Sequence, residues 1–225
     1  MSPKVKATAS VAGGPLPRGR HKLSREDVLA SQRERIVSAM LDCAAAKGYS
    51  ATTVTDVVST ARVSRNAFYE LFSDKEDCFL AACEEAWQAL LQTLYAQAAE
   101  PTWIEAQKEG MRVYLSWWQD QPWMAYGYLV ELPAAGRRAQ EQRDRTYRSF
   151  AEMFDALAAR ARHEQPELPP LRSLATRILV GGITELVAEE VRAGRLDRLH
   201  ELEDELNAYV IAALSDEKTA EAATR

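Results

Sequence analysis

The 225-residue chain is predicted to be all-α. Apolar residues recur at helical spacing, no stretch of any length alternates apolar and polar as a strand does, and glycines, prolines and capping residues break the pattern at helix-sized intervals. The most informative segment is residues 53–72. Val54, Val57, Val58 and Ala61 fall at i, i+3, i+4 and i+7 and share one face of a short helix. Val63 closes a turn, and Ala67, Phe68, Leu71 and Phe72 give a second short helix an apolar face to pack on the first. Two helices of about two turns each bury too little surface alone and need a third. Residues 31–47 supply it, with Ile36, Met40, Leu41 and Ala44 apolar and Gly48 as a C-terminal stop. Ser73-Asp74-Lys75-Glu76 is a capping box in which Ser73 accepts from the Glu76 amide and Glu76 reaches back. A new helix therefore starts directly after Phe72.

This pattern is a helix-turn-helix. The outward side of its second helix carries Ser64, Arg65, Asn66 and Tyr69, residue types that bond phosphates and base edges. Gly48-Tyr49, Thr52-Thr53-Val54-Thr55-Asp56-Val57, Ala61-Arg62-Val63-Ser64, Phe68-Tyr69, Phe72 and Asp74-Lys75-Glu76 together resemble the amino-terminal signature of the TetR family of bacterial transcriptional regulators. The resemblance covers about residues 36–79; the remainder is similar to the family only in length and helical character. It implies a homodimeric, all-helical repressor whose DNA affinity falls when a small molecule binds. It further implies phosphate contacts at Thr53, Ser64, Tyr69 and Lys75, and base reading at Arg65 and Asn66, with Thr55 as a further candidate. Cys78 stands where the family usually has a bulky aliphatic.

Charge is distributed to match. The net charge of −5 is split: residues 1–75 hold 12 basic and 7 acidic residues, and the rest hold 16 basic and 26 acidic. An amino-terminal module of +5 on a body of −10 directs a polyanion to one end. Residues 1–24 read as a flexible basic arm, rich in glycine and proline, in which Arg18, Arg20 and Lys22 are placed to follow a minor groove or neutralise phosphates. Residues 25–75 form the helix-turn-helix domain, 76–214 a helical ligand-binding and dimerisation domain, and 215–225 a polar tail. Cys43, Cys78 and Cys83 fit no metal-ligand spacing or disulfide framework and read as buried thiols, with a redox pair of Cys43 and Cys78 as the alternative. No signal peptide or apolar run of membrane-spanning length is apparent, so a cytoplasmic protein without membrane partner is expected.

A long helix is expected from Lys75 to about Ala99, burying Phe79, Ala82, Ala86, Ala89, Leu90 and Leu94 and linking the two domains. Further helices are expected over 103–118, 123–132, 139–162, 171–193 and 199–214. Trp103, Tyr114, Trp117, Trp118, Trp123, Tyr126 and Tyr128 crowd into 26 residues. With Met111, Tyr147, Phe150 and Phe154, the residues Trp103, Tyr114, Trp118, Trp123 and Tyr126 are the candidate lining of a cavity for a bulky hydrophobic or aromatic effector. Arg112, Glu131 and Arg143 are candidate polar anchors. Leu179, Gly182, Ile183 and Leu186, then Leu202, Leu206, Tyr209 and Val210, stripe the last two helices, which pair across a four-helix dimer interface in the family. A dimer binds an inverted-repeat operator in double-stranded DNA through two spaced half-sites, where one half-site gives modest specificity. No cofactor is expected. An enzyme is disfavoured because His21, His163 and His200 are scattered and no nucleophile elbow or phosphate loop occurs. A binding protein that keeps the helix-turn-helix only as scaffold has no reason to keep Arg65, Asn66 and Lys75. Nothing in the chain excludes activation in place of repression.

Overall fold

The computed structural model describes residues 24–132 and 136–215. Arg18, Arg20, Lys22 and the tail after Ser215 lie outside the described residues. Nine α-helices follow one another among those described: α1 (Arg25–Lys47), α2 (Val54–Ala61), α3 (Arg65–Leu71), α4 (Lys75–Ala96), α5 (Trp103–Asp120), α6 (Pro122–Tyr126), α7 (Arg137–Glu164), α8 (Ala175–Arg192) and α9 (Glu203–Leu214). A 3-10 turn (Gln97–Ala99) extends α4, a π-helical turn (Gly127–Glu131) follows α6, and a 3-10 segment (Leu196–Leu202) precedes α9. No helix among the described residues is long and apolar enough to cross a membrane. The chain divides into two compact units between Glu85 and Ala86. The division falls within α4 because its first three turns bury Cys78, Phe79, Ala82 and Cys83 in the first unit.

In the first unit, α1 starts six residues before the expected Ser31. Ser24 caps it: its hydroxyl accepts from the Asp27 amide at 3.0 Å, while the Asp27 carboxylate accepts from the Ser24 amide at 3.0 Å. At the other end Gly48 takes φ +83° and donates to the Ala44 carbonyl, a positive-φ stop that glycine makes without strain. The cap of α4 also differs from expectation. Asp74, one residue nearer the helix, accepts from the Asp77 amide at 2.8 Å, and Asp77 reaches back to the Ser73 amide at 2.8 Å. An aspartate is short enough to close this loop from the third helical position.

The core of the unit is Ile36, Met40 and Ala44 of α1 against Val57 and Ala61 of α2 and Phe68 of α3, with Phe72 beside it at a ring separation of 5.7 Å. Ile36, Met40, Val57 and Phe68 are fully buried. Two polar contacts fasten the short helices. Arg35 Nη1 donates to the Ala61 carbonyl at 3.2 Å, satisfying an orphan acceptor at the end of α2. Lys47 Nζ and Asp56 Oδ2 are 2.6 Å apart, and the Lys47 and Thr53 hydrogen bonds hold the Asp56 carboxyl well below the usual carboxylate range.

The second unit packs α5 on α7, α9 and the 3-10 segment before α9, and α8 on α7 and α9. On α4 the buried residues are Trp87, Leu90, Leu91 and Leu94; Ala89, expected inside, is exposed, because the bulkier Leu90 and Leu91 occupy the inward arc. The α8 helix starts at Ala175, after the expected residue 171, and only residues 203–214 of the last segment are α-helical. Gly194, at φ +70°, turns the chain between them.

Phe68→Ala should destabilise the first unit by about 3–5 kcal/mol, because the neighbours of a fully buried ring relax only partly into the space left. Chemical denaturation followed by circular dichroism reads this directly, with Tyr69→Ala on the exposed side expected within about 0.5 kcal/mol of wild type.

Candidate nucleic-acid interface and apolar cavity

The turn between α2 and α3 is made by Arg62, which takes the left-handed conformation (φ +54°), with the Val63 amide donating to the Val58 carbonyl at 3.1 Å. Ser64 then caps α3, its hydroxyl accepting from the Ala67 amide at 3.1 Å. Thr53 does the same for α2 within a capping box closed by Asp56. Two of the three hydroxyls expected to meet phosphate, those of Thr53 and Ser64, are therefore also structural caps that fix where the helix amino termini lie. Arg65, Asn66 and Tyr69 are exposed on one side of α3, opposite buried Phe68, and Thr55 is exposed on α2. The Arg65 guanidinium lies 5.7 Å from the Tyr69 ring centroid, with Nη2 3.5 Å from its hydroxyl, so the two side chains stand together off the surface. Seven of the ten residues expected at DNA lie among the described residues, and all seven map to α2, α3 and the start of α4.

Lys75 is engaged in a way its sequence position did not reveal. Its ammonium donates to the Tyr49 carbonyl at 3.0 Å and the Ser50 carbonyl at 3.4 Å, and sits 4.3 Å from the Tyr49 ring centroid. Tyr49 in turn packs on Phe79 at 4.2 Å. Lys75 thus ties the loop after α1 to the first turn of α4.

The second unit holds a cavity of about 160 Å³. Met111, Tyr114, Trp118, Tyr147, Phe150 and Phe154 line it as expected. Trp103, Trp123 and Tyr126 do not. Trp103 is buried at the start of α5, where its amide donates to Glu164 at 3.0 Å. Trp123 bonds Gln121 at the start of α6, and Tyr126 faces solvent at 48 % exposure. The aromatic count of the segment did not separate cavity from filler. Trp87 is the principal lining residue missed: it stands outside the aromatic-rich segment, yet packs against Trp117, Trp118, Tyr128 and Phe150 at 5.1–5.6 Å. A large aromatic on the inward arc of α4 was the available signal.

The indole N–H of Trp87 is buried without a hydrogen-bond acceptor and lies in edge-to-face contacts, where ring faces are the neighbouring electron density. The cavity's polar wall groups are mostly paired: Tyr128 donates to Thr146 at 3.2 Å and Gln107 to Asn207 at 3.1 Å. Burial pushes the Tyr114 phenol up to about 12, so it stays protonated throughout the physiological range. Of the candidate anchors, Arg112 is paired with Glu109 on the surface, while Arg143 bonds the hydroxyl of the lining residue Tyr147.

Of the residues expected at a dimer interface, Leu179, Ile183, Leu206 and Val210 are buried within the unit, and Leu202 is half-buried. Gly182, Leu186 and Tyr209 are exposed, together with Leu174 and Ile178. The apolar face that remains uncovered is thus displaced from the predicted stripe, because the inner half of that stripe already packs against the bundle.

Cys43, Cys78 and Cys83 are buried thiols. Burial pushes Cys78 up to about 12 and Cys83 higher still, leaving negligible thiolate at neutral pH. A maleimide in excess at pH 7.5 should leave both unlabelled in the native protein over an hour and label both in denaturant, as read by intact mass.

Residues 36–82 match the family model of bacterial regulatory proteins of the tetR family. A segment of 53 residues is 40% identical to the uncharacterized HTH-type transcriptional regulator YerO of Bacillus subtilis; it covers 24% of this chain and 18% of that protein. The fold as a whole is similar to that of FadR from Bacillus halodurans, a fatty acid degradation regulator, with a TM-score of 0.70 at 16% identity over 80% of this chain and 94% of that one. It is also similar to FadR from Bacillus subtilis in complex with stearoyl-CoA, with a TM-score of 0.68 at 17% identity over 80% and 97%.

Proposed function

From an amino-terminal domain of the TetR family of bacterial transcriptional regulators, we infer that this chain is a sequence-specific DNA-binding regulator that acts as a homodimer. It represses transcription and leaves its operator when a hydrophobic or aromatic small molecule enters the cavity of the second unit. The observation that carries the reading is the division of labour on α3: Phe68 is fully buried, while Arg65, Asn66 and Tyr69 are exposed on the other side. A helix so anchored can enter a major groove without giving up its own packing. Arg65 and Asn66 then read base edges. Thr53 and Ser64 present helix amino termini to phosphates, where amide donors and the helix dipole favour an anion.

Dimerisation is supported by the exposed stripe of Leu174, which immediately precedes α8, Ile178, Gly182 and Leu186 on α8, and Tyr209 on α9. Among the described residues, nothing beyond the helix's own neighbouring backbone lies within 4 Å of a Cβ built on Gly181 or Gly182, which leaves room for a partner helix to approach. For the response, α4 is the natural carrier: Trp87, Leu94 and Tyr95 line the cavity, and the same helix runs without a break to Lys75. Ligand lowers DNA affinity only to the extent that it binds one arrangement of the dimer better than the other.

Selection of bound duplexes from a random pool at near-physiological salt tests the reading; an inverted repeat should be enriched, and recovery without any consensus would refute it. On the selected duplex, Arg65→Ala should cost about 1–3 kcal/mol and relax preference at one base pair. Lys75→Ala should instead lower thermal stability, since it releases Tyr49 and Ser50, and weaken binding to specific and random DNA alike.

A further inference from the structure

The cavity has one polar corner that its apolar walls do not explain. Tyr147 lines it, and its hydroxyl accepts from Arg143 Nη2 at 2.7 Å and Nε at 3.1 Å. With its lone pairs so engaged, the phenol has its proton left to donate, and the guanidinium polarises that O–H into a stronger donor. The Tyr114 phenol, which Trp118 and Thr184 contact by hydrogen bond, lines the same cavity. Arg143 is half-buried, and among the described residues no carboxylate pairs with it. Arg160, the cation that itself lines the cavity, differs: Glu164 holds its Nε at 2.6 Å and the Glu100 carbonyl holds its Nη2 at 2.6 Å. A half-buried cation with no carboxylate paired to it among the described residues, joined to a cavity through a hydroxyl that donates, is matched by an anion on the ligand.

The rest of the wall sets the body of that ligand. Trp87, Trp118, Tyr114 and Phe150 present faces and edges to one another at 5.2–6.1 Å, an arrangement that receives one more ring in the same geometry. The volume of about 160 Å³ is close to that of a cavity of about 150 Å³ that takes up benzene.

We propose that the effector is a compact aromatic acid: one ring lying against Trp87, Trp118 and Phe150, and a carboxylate that accepts from the Tyr147 hydroxyl with Arg143 as counter-charge. The assignment rests on the effector reading given above and names its ligand class. Benzoate and methyl benzoate differ in charge and little in shape, and Trp87 and Trp118 report either through intrinsic fluorescence of the full chain. At pH 7 benzoate should bind at least about tenfold tighter than the ester, as a hydrogen bond to a charged group supplies. Arg143→Met and Tyr147→Phe should each reduce that preference by about tenfold while leaving ester affinity within about twofold. Equal affinity for acid and ester, an unchanged preference in both variants, binding of neither compound, or tighter binding of stearoyl-CoA would each overturn the assignment. Release of the selected duplex separates the two ideas. If the ester binds as well as the acid and releases DNA, the effector reading stands and the acid falls. Preferential benzoate binding that leaves DNA affinity unchanged supports the ligand class and refutes the effector reading.

Discussion

The first unit depends on burying Phe68. Helices of eight and seven residues, α2 and α3, are below the length at which a helix holds in water by itself, so each exists only because a face of it is taken up by α1. The ring of Phe68, with Ile36, Met40 and Val57 about it, fixes the rotation of α3 about its own axis. That rotation decides which side chains are left outside. Arg65, Asn66 and Tyr69 are exposed because the helix has no other way to present an aromatic ring to the core. The polar face is a consequence of the apolar one, and the caps at Thr53 and Ser64, with Arg35 closing the end of α2, hold both helices in register.

The second unit obeys a looser constraint. Most of its helices are longer than α2 and α3, and its cavity is bounded by rings that pack against one another. Trp87 is central because it touches four other rings from three directions of the bundle: α5, the π-helical turn and α7. Trp87 belongs to α4, within which the division between the two units falls.

How much was legible in the sequence follows from the same contrast. The fold class, the helix-turn-helix and its outward residues could be read, since short helices must declare their apolar faces and caps within a few positions. Even there the resolution was limited: Asp74 and Asp77, rather than Ser73 and Glu76, close the cap of α4, because serine and aspartate compete for the same role one residue apart. The Lys75 contact with Tyr49 and Ser50 joins residues 25 or more positions apart and left no periodic trace. The cavity was half legible. Aromatic density marked Tyr114 and Trp118, but it equally marked Trp123 and Tyr126, and only packing distinguishes a ring that faces a void from one that faces water. The stripe on α8 was likewise visible as a stripe, while which half of it the chain keeps for itself depends on where α7 and α9 lie.

The central claim is that the outer face of α3 is the surface that meets DNA. Hydrogen exchange of the full chain, with and without a bound duplex and resolved by peptide mass, tests it most directly. New protection should concentrate in residues 53–69, with peptides of α7 and α8 little changed. Protection confined to the second unit, with the α2–α3 peptides unaltered by DNA, would contradict the account.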